Sequence, residues 1–313
     1  MEKRLLELLI CPACLPDEFG LQPEIVEERA GDIITGVLIC ARCKRRFPIE
    51  EGLALLHPNR NRPPGTTVNK YETEGVVSSY LWSHYGDLLN DVQASEAYGA
   101  WAARMRPHGG ISLDAGGAVG RFAFEMSAKC DFAIGLDNSV AFIRAARRLM
   151  TERRVTFGLK DEGLLSRDAT ITLPEDWKSD KVEFIVGDAL ALPFRRDALS
   201  SLSSLNLIDK VPSPIRHLEE MNRVTKNNDA QFLLSDPFSW STEAADIDQW
   251  LGGKKDGPYA GKGLDNVIRL LKEEETMPGP PWRVEETGGL WWKIRTHTNH
   301  YELIRSCFVK ASR

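Results

Sequence analysis

The 313-residue sequence contains no apolar run near the ~20 residues that a membrane crossing takes. Its opening segment, MEKRLLELLICP, has too short an apolar run for a secretory signal and lacks a small-residue cleavage site. The net charge of −5 provides no overall field that would attract nucleic acid. With these features absent, we expect a cytoplasmic protein without a membrane partner. Its six cysteines are then expected to be metal ligands or buried thiols and not disulfides.

Four of the six cysteines form two C-x-x-C pairs, Cys11 with Cys14 and Cys40 with Cys43, and 25 residues separate the pairs. Four thiolates at this spacing can close a tetrahedral site for Zn²⁺, and a closed site is structural and not catalytic. A module this small gains much of its folding free energy from the bound metal. We therefore predict that these cysteines are the zinc ligands of a zinc-ribbon domain.

The composition divides the chain into a small part and a large part. The cysteine-bearing domain covers residues 1–58, and the polar segment 59–69, NRNRPPGTTVN, has the paired prolines of a linker. Residues 70–313 are long enough for a full hydrophobic core. They begin with helical stretches that we expect to cap a ligand cleft, and strand and helix patterns then alternate. This order predicts an α/β domain of the Rossmann-like type behind a zinc ribbon.

The segment from Ile111 to Ser139, ISLDAGGAVGRFAFEMSAKCDFAIGLDNS, has the pattern strand, glycine turn, helix, strand. Asp114 ends the first strand and Asp137 ends the second, so both carboxylates lie where α/β sheets bind ligands. Glycines in the turn let the backbone approach a ligand, and the helix start offers free N–H groups. Ala118 breaks the dinucleotide fingerprint G-x-G-x-x-G. The pattern therefore favours S-adenosylmethionine, with Asp137 placed to bind the ribose diol.

Later strands also end in polar residues. The strand over 182–186 precedes Asp188 and Ala189, which suit the exocyclic amine and the ring face of adenine. The strand over 198–205 precedes Asn206, at the place where the methyl group and its acceptor would meet. The candidate cofactor-binding residues are Asp114, Gly116, Gly120, Asp137, Asn138, Asp188, Ala189 and Asn206.

Methyl transfer from a sulfonium is an in-line displacement, in which an enzyme mainly holds the reacting atoms in line. A catalytic triad is not expected, and the sequence contains none that we recognise. If a base is used, Asp209 is the first candidate, followed by His84 and His297. The candidate substrate-binding residues come from the leading helices, from the segment after the fifth strand and from the end of the chain: Tyr80, Tyr85, Asp236, Trp240 and Arg295.

Two segments have a less regular pattern. Residues 151–180 form a polar insertion before the third strand. The final strands are predicted near Trp282–Glu286 and Glu302–Ala311, with the polar-aromatic segment WWKIRTHTNHY between them. That segment either helps to wall the acceptor pocket or forms an edge hairpin with cross-strand aromatic pairs.

The N-terminal frame LLELLICPAC … LICARCKRRFPIEEGLALL resembles the small zinc-ribbon family that activates methyltransferases of transfer RNA, ribosomal RNA and release factors. This resemblance implies a scaffold for a methyltransferase, here fused to it. One implication is contact with RNA or protein through the ribbon. The basic residues directly after the second cysteine pair either contact phosphate or form a solvated run of charges.

The segments LDAGGAVGRFAFEMS, GLDNSVAFIRAA, VEFIVGDALALPF, NLIDKVPSP and DPFSW resemble the methyltransferase domain at the end of ovothiol synthases. That domain methylates an imidazole nitrogen of 4-mercaptohistidine. The resemblance implies the seven-stranded sheet of class I S-adenosylmethionine-dependent methyltransferases. Two features depart from that family, because Gly117 stands where it usually has cysteine and because a zinc ribbon stands in place of its large oxygenase modules.

Three functions follow from these patterns. The first is methyl transfer to a small molecule, at nitrogen or sulfur of a histidine-like or thiol-containing metabolite. The second is methylation of an RNA base, with the ribbon and the arginines of the helix near 139–150 binding the backbone, although the acidic net charge opposes it. The third is a catalytically silent partner that binds another protein through its ribbon, which the intact Asp114, Asp137 and Asp188 disfavour.

Overall fold

The computed structural model describes residues 1–58, 70–273, 277 and 279–313. The predicted linker over 59–69 lies outside the described residues. Among the helices that are described, none has both the length and the apolarity that a membrane crossing needs.

The N-terminal part folds as a short 3-10 helix, Lys3–Glu7, followed by a small antiparallel sheet. Its strands pair in chain order: β1 (Leu21–Arg29), β2 (Asp32–Cys40), β3 (Arg46–Glu50) and β4 (Leu53–Ala54). The third zinc-ligand candidate, Cys40, is the last residue of β2, so the sheet delivers the second cysteine pair directly to the first. Apolar side chains alternate along β2 and β3 and form the core of this module.

The strands of the larger part follow in chain order: β5 (Ile111–Ala115), β6 (Phe132–Asp137), β7 (Arg154–Glu162), β8 (Leu165–Thr172), β9 (Val182–Val186), β10 (Ser201–Leu205), β11 (Gln231–Asp236), β12 (Arg283–His297) and β13 (His300–Ser312). In the described part of the chain, a seven-stranded sheet has the order β12-β13-β11-β10-β5-β6-β9. The pairs from β11 to β9 are parallel, and β13 is antiparallel to both of its neighbours. The α/β, Rossmann-like class I methyltransferase sheet predicted from the sequence is thereby confirmed.

Helices cover both faces of this sheet. The described α-helices are α1 (Glu74–Tyr85), α2 (Ala97–Ala103), α3 (Arg121–Ser127), α4 (Val140–Glu152), α5 (Pro214–Val224) and α6 (Gly263–Lys272). Side chains of α1 to α4 pack on one face, those of α5 and α6 pack on the other, and the N-terminal module contributes to both hydrophobic clusters. Because both faces are covered, β5, β9 and β10 are almost continuously buried, as parallel strands usually are.

The polar-aromatic segment near the end of the chain forms a hairpin, one of its two predicted forms, with strands that extend beyond the predicted ranges. β12 continues to His297 and β13 begins at His300, so WWKIRTHTNHY is mostly strand around a tight turn. Cys307 pairs with Asp236, the last residue of β11, so residues 290–306 of the hairpin project beyond the carboxyl edge of the sheet. We call this projection the overhang. The insertion over 151–180 likewise contains a regular hairpin, β7 and β8.

The N-terminal module extends the main sheet at its β9 edge. Leu55 forms a parallel bridge with Val186, and the Leu56 N–H donates to the Val186 carbonyl at 2.8 Å. On the other side, the Ile10 N–H donates to the Pro193 carbonyl at 2.9 Å. The module therefore holds both the last residue of β9 and the loop that follows it.

A buried ionic group fastens this contact. Glu183 of β9 is fully buried, and its carboxylate pairs with the guanidinium of Arg147 from α4. The same guanidinium lies 2.7 Å from the carboxylate of Asp32 in β2. A Cβ atom at Gly52 would lie 2.4 Å from that guanidinium, so only glycine lets the turn before β4 approach it. One arginine thus joins α4, the main sheet and the small sheet.

Replacing this arginine tests its role. Arg147→Met leaves buried Glu183 with the Met1 ammonium, 3.9 Å away, in place of its paired guanidinium, so we expect the free energy of unfolding to fall by about 3 kcal/mol. Arg148→Met is the matched control, because Arg148 pairs on the same helix with Glu152 in a solvent-exposed contact, and it should change stability by less than about 0.5 kcal/mol. Urea unfolding measures both. Equal losses in the two variants would contradict the assignment.

Candidate functional site

The glycine turn after β5 has little room for side chains. Gly116 has φ +78°, and a Cβ there would lie 2.7 Å from the side chain of Leu207. Gly120 has φ +87°, and a Cβ there would lie 2.5 Å from the ring of Phe184. Both positions therefore require glycine for conformation and for space. The first contact also places the glycine turn directly against the segment that follows β10.

Asp114 lies buried at the end of β5, where it precedes this turn. The Ser203 hydroxyl of the neighbouring strand β10 donates to its carboxylate at 2.7 Å. Burial raises the pKa of Asp114 to about 7, against the opposing effect of the Ser203 hydrogen bond. A carboxyl group that can be either charged or neutral near pH 7 therefore stands beside the glycine turn.

Asp137, at the end of β6, is tied to the same turn. The Ala118 N–H donates to one carboxylate oxygen at 3.0 Å and the Ser139 N–H donates to the other at 2.9 Å. Burial raises the pKa of Asp137 to about 6. Each carboxylate oxygen keeps a further lone pair, which is what binding a ribose diol requires. Asn138, which follows, is exposed to solvent.

Asp188 and Ala189 lie in the loop after β9, next to the N-terminal module. The Nε2 atom of His57 lies 3.6 Å from the Asp188 carboxylate, which also accepts the Leu190 N–H at 2.9 Å. The carbonyl of Ala189 lies 3.2 Å from Nδ1 of His217 in α5, a contact that the neutral tautomer with a proton on Nδ1 donates. Buried His217 has its pKa lowered to about 4 by desolvation, so it is neutral near pH 7.

Asn206 follows β10 in a left-handed conformation, with φ +58°. Its side-chain oxygen accepts a hydrogen bond from the Ser306 hydroxyl in the overhang, and Ser306 in turn accepts the indole N–H of Trp292 at 2.9 Å. Its amide nitrogen is buried without a hydrogen-bond partner among the described residues. The overhang thus fixes the amide and leaves its NH₂ group for a ligand.

Asp209 and Asp236 are buried carboxylates at the ends of β10 and β11. One oxygen of Asp209 accepts the Ser239 N–H at 2.8 Å, and one oxygen of Asp236 accepts the Phe238 N–H at 2.6 Å. The second oxygen of each is without a partner in the described part of the chain. Burial, and then the nearby charge of Asp209, raise the pKa of Asp236 well above its ordinary value.

Trp240 lies in the same loop as Phe238 and Ser239, whose N–H groups donate to these two carboxylates. Its ring stacks on Trp250 with the centroids 6.3 Å apart, and its indole N–H has no acceptor within the described ranges. An aromatic wall and a free donor therefore stand beside the buried carboxylates.

Among the α1 candidates, Tyr85 is fully buried, and its hydroxyl donates to the Val119 carbonyl in the glycine turn at 2.8 Å. This hydrogen bond joins α1 to the glycine turn. His84 lies 2.6 Å from the hydroxyl of Tyr98, and burial lowers its pKa well below the ordinary value. Tyr80 packs on Phe142, with the ring centroids 4.7 Å apart. These three side chains form one aromatic group on the α1 face.

Arg295 and His297 lie at the tip of the overhang and not with Asp209. Arg295 is buried, donates to the Thr298 hydroxyl at 2.7 Å and lies 3.5 Å from Asp161 of β7. The ring of His297 stacks on His300. Arg295 thus contributes to the contact between the overhang and the β7–β8 hairpin, and His297 contacts its neighbours within the overhang.

Several residues that matter for the geometry were missed in the sequence. His57, Ser203, His217 and Ser306 each contact a candidate residue. Buried serines in the parallel strand β10 were the available signal, because a hydroxyl in a buried strand needs a polar partner. His57 carried no local signal, since its partner comes from the other part of the chain.

The four N-terminal cysteine sulfurs all lie within 4.8 Å of one another. The Cys11 and Cys43 sulfurs are 3.7 Å apart, and those of Cys14 and Cys40 are 3.8 Å apart. Tetrahedral Zn²⁺ with Zn–S bonds of ~2.3 Å requires sulfur atoms about 3.8 Å apart. The arrangement therefore fits zinc bound by these four thiolates, as predicted.

Comparison with solved structures gives distant similarities. A chain from the complex between the Haloferax volcanii Trm112 methyltransferase activator and a methyltransferase is 14% identical, with 79% of this chain and 99% of that chain covered and a TM-score of 0.46. A structure from work on the conversion of a disulfide bond into a thioacetal group in echinomycin biosynthesis is 17% identical, covering 70% and 82%, with a TM-score of 0.45. An S-adenosylmethionine-dependent methyltransferase from Methanosarcina mazei is 18% identical, covering 65% and 92%, with a TM-score of 0.40.

Comparison with protein families gives two matches. Residues 2–52 match the Trm112p-like protein family, and residues 113–232 match a methyltransferase domain. No curated protein is significantly similar to the chain in sequence. The second match begins in β5 and ends in β11, so it covers the glycine turn and Asp114, Asp137 and Asp188. The chain is therefore an S-adenosylmethionine-dependent methyltransferase with a Trm112p-like domain before its catalytic domain.

Proposed function

We propose that this enzyme methylates a nitrogen or sulfur atom of a small molecule, of the histidine-like or thiol type that the resemblance of its core implies. The observation that carries this proposal is the overhang, residues 290–306, which rises above the carboxyl ends of β10 and β11. Pockets for small molecules are concave and enclose most of the ligand. The overhang bounds one side of the place where the acceptor would lie.

The overhang is fixed to two other elements. The Ser83 hydroxyl of α1 donates to the Lys293 carbonyl at 2.7 Å, and Trp82 packs on Tyr301 with ring centroids 5.4 Å apart. At the tip, the Thr298 hydroxyl donates to the Asp161 carboxylate of β7 at 2.6 Å. These contacts join the wall to α1 and to the inserted hairpin, so that three elements surround the cleft.

Four of the five arginines that suggested RNA binding are engaged by other groups of the protein, two of them in solvent-exposed ion pairs. Arg147 is buried with Glu183, and Arg153 donates to the carbonyls of Trp177 and Pro174. Arg144 pairs with Glu51 across the contact with the N-terminal module. Arg148, another of the five arginines in this segment, pairs with the carboxylate of Glu152. Phosphate binding needs free cations, so this surface favours the small-molecule proposal.

The candidate residues give the cofactor a complete set of partners. We propose that Asp137 binds the ribose diol, Asp188 the adenine amine, and Asp114 with the glycine turn the amino acid part of S-adenosylmethionine. Bound there, the cofactor supplies an electrophilic methyl group. The chain then has to hold the acceptor in line with it, beside Asn206, and to keep water out.

We also propose that residues 1–58 act within this chain, as a zinc-dependent support for the methyltransferase domain over 70–313. Ile10 lies next to the zinc-ligand candidate Cys11 and holds the loop after β9 through Pro193. His57 lies beside Asp188 in that loop. Contact with a further protein or with RNA through the ribbon is a separate proposal, which the experiments below distinguish.

The first prediction concerns the acceptor class. When the purified enzyme and labelled S-adenosylmethionine are added to a fractionated cell extract, we expect label in the metabolite fraction, because the overhang bounds one side of the proposed acceptor site. Scintillation counting of RNA, protein and metabolite fractions measures this, and the Asp137→Asn variant is the matched blank. Label that stays with RNA and disappears on ribonuclease treatment would replace the small-molecule proposal by the RNA one.

The second prediction concerns pH. Since the pKa of Asp137 is raised to about 6, its carboxylate is present above that pH and is lost as the pH falls through it. Affinity for S-adenosylhomocysteine should therefore weaken from about pH 8 to about pH 5. Asp137→Asn should weaken binding about tenfold or more near pH 8, because hydrogen bonds to charged groups contribute ~1.5–3 kcal/mol.

Titration calorimetry across this pH range checks the second prediction. Asp114, whose pKa is about 7, titrates in the same window, so the comparison with Asp137→Asn isolates the Asp137 component. Asp229→Asn, an exposed position, is the control and should bind like the wild type. An unchanged affinity in Asp137→Asn would remove this residue from the cofactor site.

The third prediction concerns the link from the ribbon to the cofactor. His57→Ala removes the partner of a partly exposed carboxylate, so affinity for S-adenosylhomocysteine should fall about two- to fivefold. Zinc content and melting temperature should stay unchanged, since His57 is not a candidate metal ligand. His300→Ala, at the tip of the overhang, is the histidine control. A loss of zinc or a lower melting temperature in His57→Ala alone would point to a folding role.

A further inference from the structure

The residue that follows β10 has an unusual backbone conformation. Asn206 has φ +58°, in the left-handed region that residues other than glycine rarely adopt. Its N–H donates to the carbonyl of Ser235, near the end of β11, at 2.6 Å. Residues that their surroundings hold in this conformation are concentrated at functional sites. Asn206 is therefore held in a strained conformation between the ends of two parallel strands.

The overhang determines which way the side-chain amide of Asn206 faces. Ser306 and Trp292 are both buried in the overhang, and the Trp292 indole N–H donates to the Ser306 hydroxyl at 2.9 Å. A serine hydroxyl has one proton, and Ser306 donates it to the side-chain oxygen of Asn206. If the amide were turned by half a rotation, this proton would meet the NH₂ group, which is also a donor. The two overhang residues therefore direct the NH₂ group away from Ser306.

Two unpaired polar atoms come from neighbouring backbone positions at this place. Asn206 Nδ2 and Ser235 Oγ are both buried and have no hydrogen-bond partner within the described ranges. Along β11, Leu233 belongs to the hydrophobic cluster on the α1–α4 face and Leu234 belongs to the cluster on the other face. Because side chains alternate along a strand, Ser235 lies on the α1–α4 face. Buried polar groups are nearly always paired, so these two atoms need a ligand or solvent to complete them.

The same face carries the glycine turn of the proposed cofactor site. Val119 of the turn and Trp292 of the overhang belong to one hydrophobic cluster. A Cβ at Gly116 would lie 2.7 Å from the side chain of Leu207, the residue after Asn206. The free amide donor of Asn206 therefore lies next to the turn at which we place the amino acid part of S-adenosylmethionine.

We propose that Ser306 and Trp292 are positioning residues, which fix Asn206 so that its NH₂ group, together with the Ser235 hydroxyl, donates to the methyl acceptor. The enzyme then selects small molecules that present an oxygen or nitrogen lone pair at this point. Molecules that present an N–H or O–H group there are rejected, because two buried donors would face each other unpaired. This inference rests on the proposed small-molecule function and is independent of which acceptor atom receives the methyl group.

Removing the Ser306 hydroxyl tests the positioning role. In Ser306→Ala the amide of Asn206 is free to present its oxygen, so transfer of label from S-adenosylmethionine into the metabolite fraction of a cell extract should slow about tenfold. Titration calorimetry should find the affinity for S-adenosylhomocysteine unchanged. Ser312→Ala is the matched control, because it removes a buried hydroxyl at the far end of the same strand. Equal transfer rates in Ser306→Ala and the wild type overturn the proposal.

A double-mutant cycle separates positioning from a general structural loss. If Ser306 acts through Asn206, the double variant of Ser306→Ala and Asn206→Ala should transfer label at the rate of Asn206→Ala alone, because no amide is left to position. Trp292→Phe removes the indole N–H and keeps an aromatic ring, so it should slow transfer about two- to fivefold by loosening Ser306. Losses that multiply in the double variant contradict the positioning role.

The polarity of the acceptor contact is tested by Asn206→Asp. This variant keeps an oxygen for the Ser306 hydroxyl and replaces the NH₂ donor by a second oxygen, so transfer should fall at least as far as in Asn206→Ala. A melting temperature that S-adenosylhomocysteine raises in both variants shows that they are folded. Full transfer by Asn206→Asp would show that the acceptor donates at this point, against the proposal.

The same labelling reaction distinguishes the two levels of inference. Normal transfer into metabolites by Ser306→Ala overturns the positioning role and leaves the proposed small-molecule function intact. Wild-type label that is found in RNA defeats the proposed function itself and this inference with it.

Discussion

The carboxylate of Glu183 is buried inside β9, and a buried charge without a partner would cost several kcal/mol. Arg147 of α4 neutralises it, and the same guanidinium also binds Asp32 of the small sheet. The pairing is therefore complete only when the Trm112p-like domain is docked on the methyltransferase domain. Docking in turn places Ile10 and His57 on the loop that carries Asp188. The proposed cofactor site thus borders a domain contact to which this ion pair contributes.

The two halves of the cleft differ in how completely their polar groups are satisfied. On the cofactor half, Asp137 receives two backbone N–H groups and Asp114 receives the Ser203 hydroxyl, so the cofactor has to meet an ordered surface. On the acceptor half, Asp209 and Asp236 each keep a free oxygen within the described residues. Preorganised groups that await a partner are expected where charge changes during a reaction. We propose that this difference separates the cofactor-binding half of the site from the half that contacts the substrate.

The sheet and the relative placement of the strand-end acids could be predicted from the sequence, since a parallel sheet brings all carboxyl ends to one edge. The zinc site was predictable because four cysteines in two C-x-x-C pairs define it locally. The overhang was not, because WWKIRTHTNHY mixes polar and aromatic residues without a clear period, and only pairing with β13 makes it strand. The contact of His57 with Asp188 could not be predicted from the sequence either, since it depends on how the two domains dock. Local sequence patterns therefore predicted the secondary-structure elements. The contacts between elements that are distant in the sequence could be identified only from the folded structure.

Fusion of the ribbon to the enzyme has a physical consequence for this design. A separate activator would lose translational and rotational freedom on binding, a cost of at least ~4 kcal/mol at standard concentration that the contacts would have to offset. In one chain the two surfaces meet at an effective concentration set by the connecting segment, so a modest interface is sufficient. The observed contact exceeds this minimum: it combines backbone hydrogen bonds, apolar packing and ion pairs in which Arg147 binds Asp32, Arg144 binds Glu51, and Arg196 and Arg223 bind Glu18. The ion pairs of Arg147 then stabilise the contact between the two domains. Because the domains share one chain, the zinc-ribbon domain stays beside the proposed cofactor site.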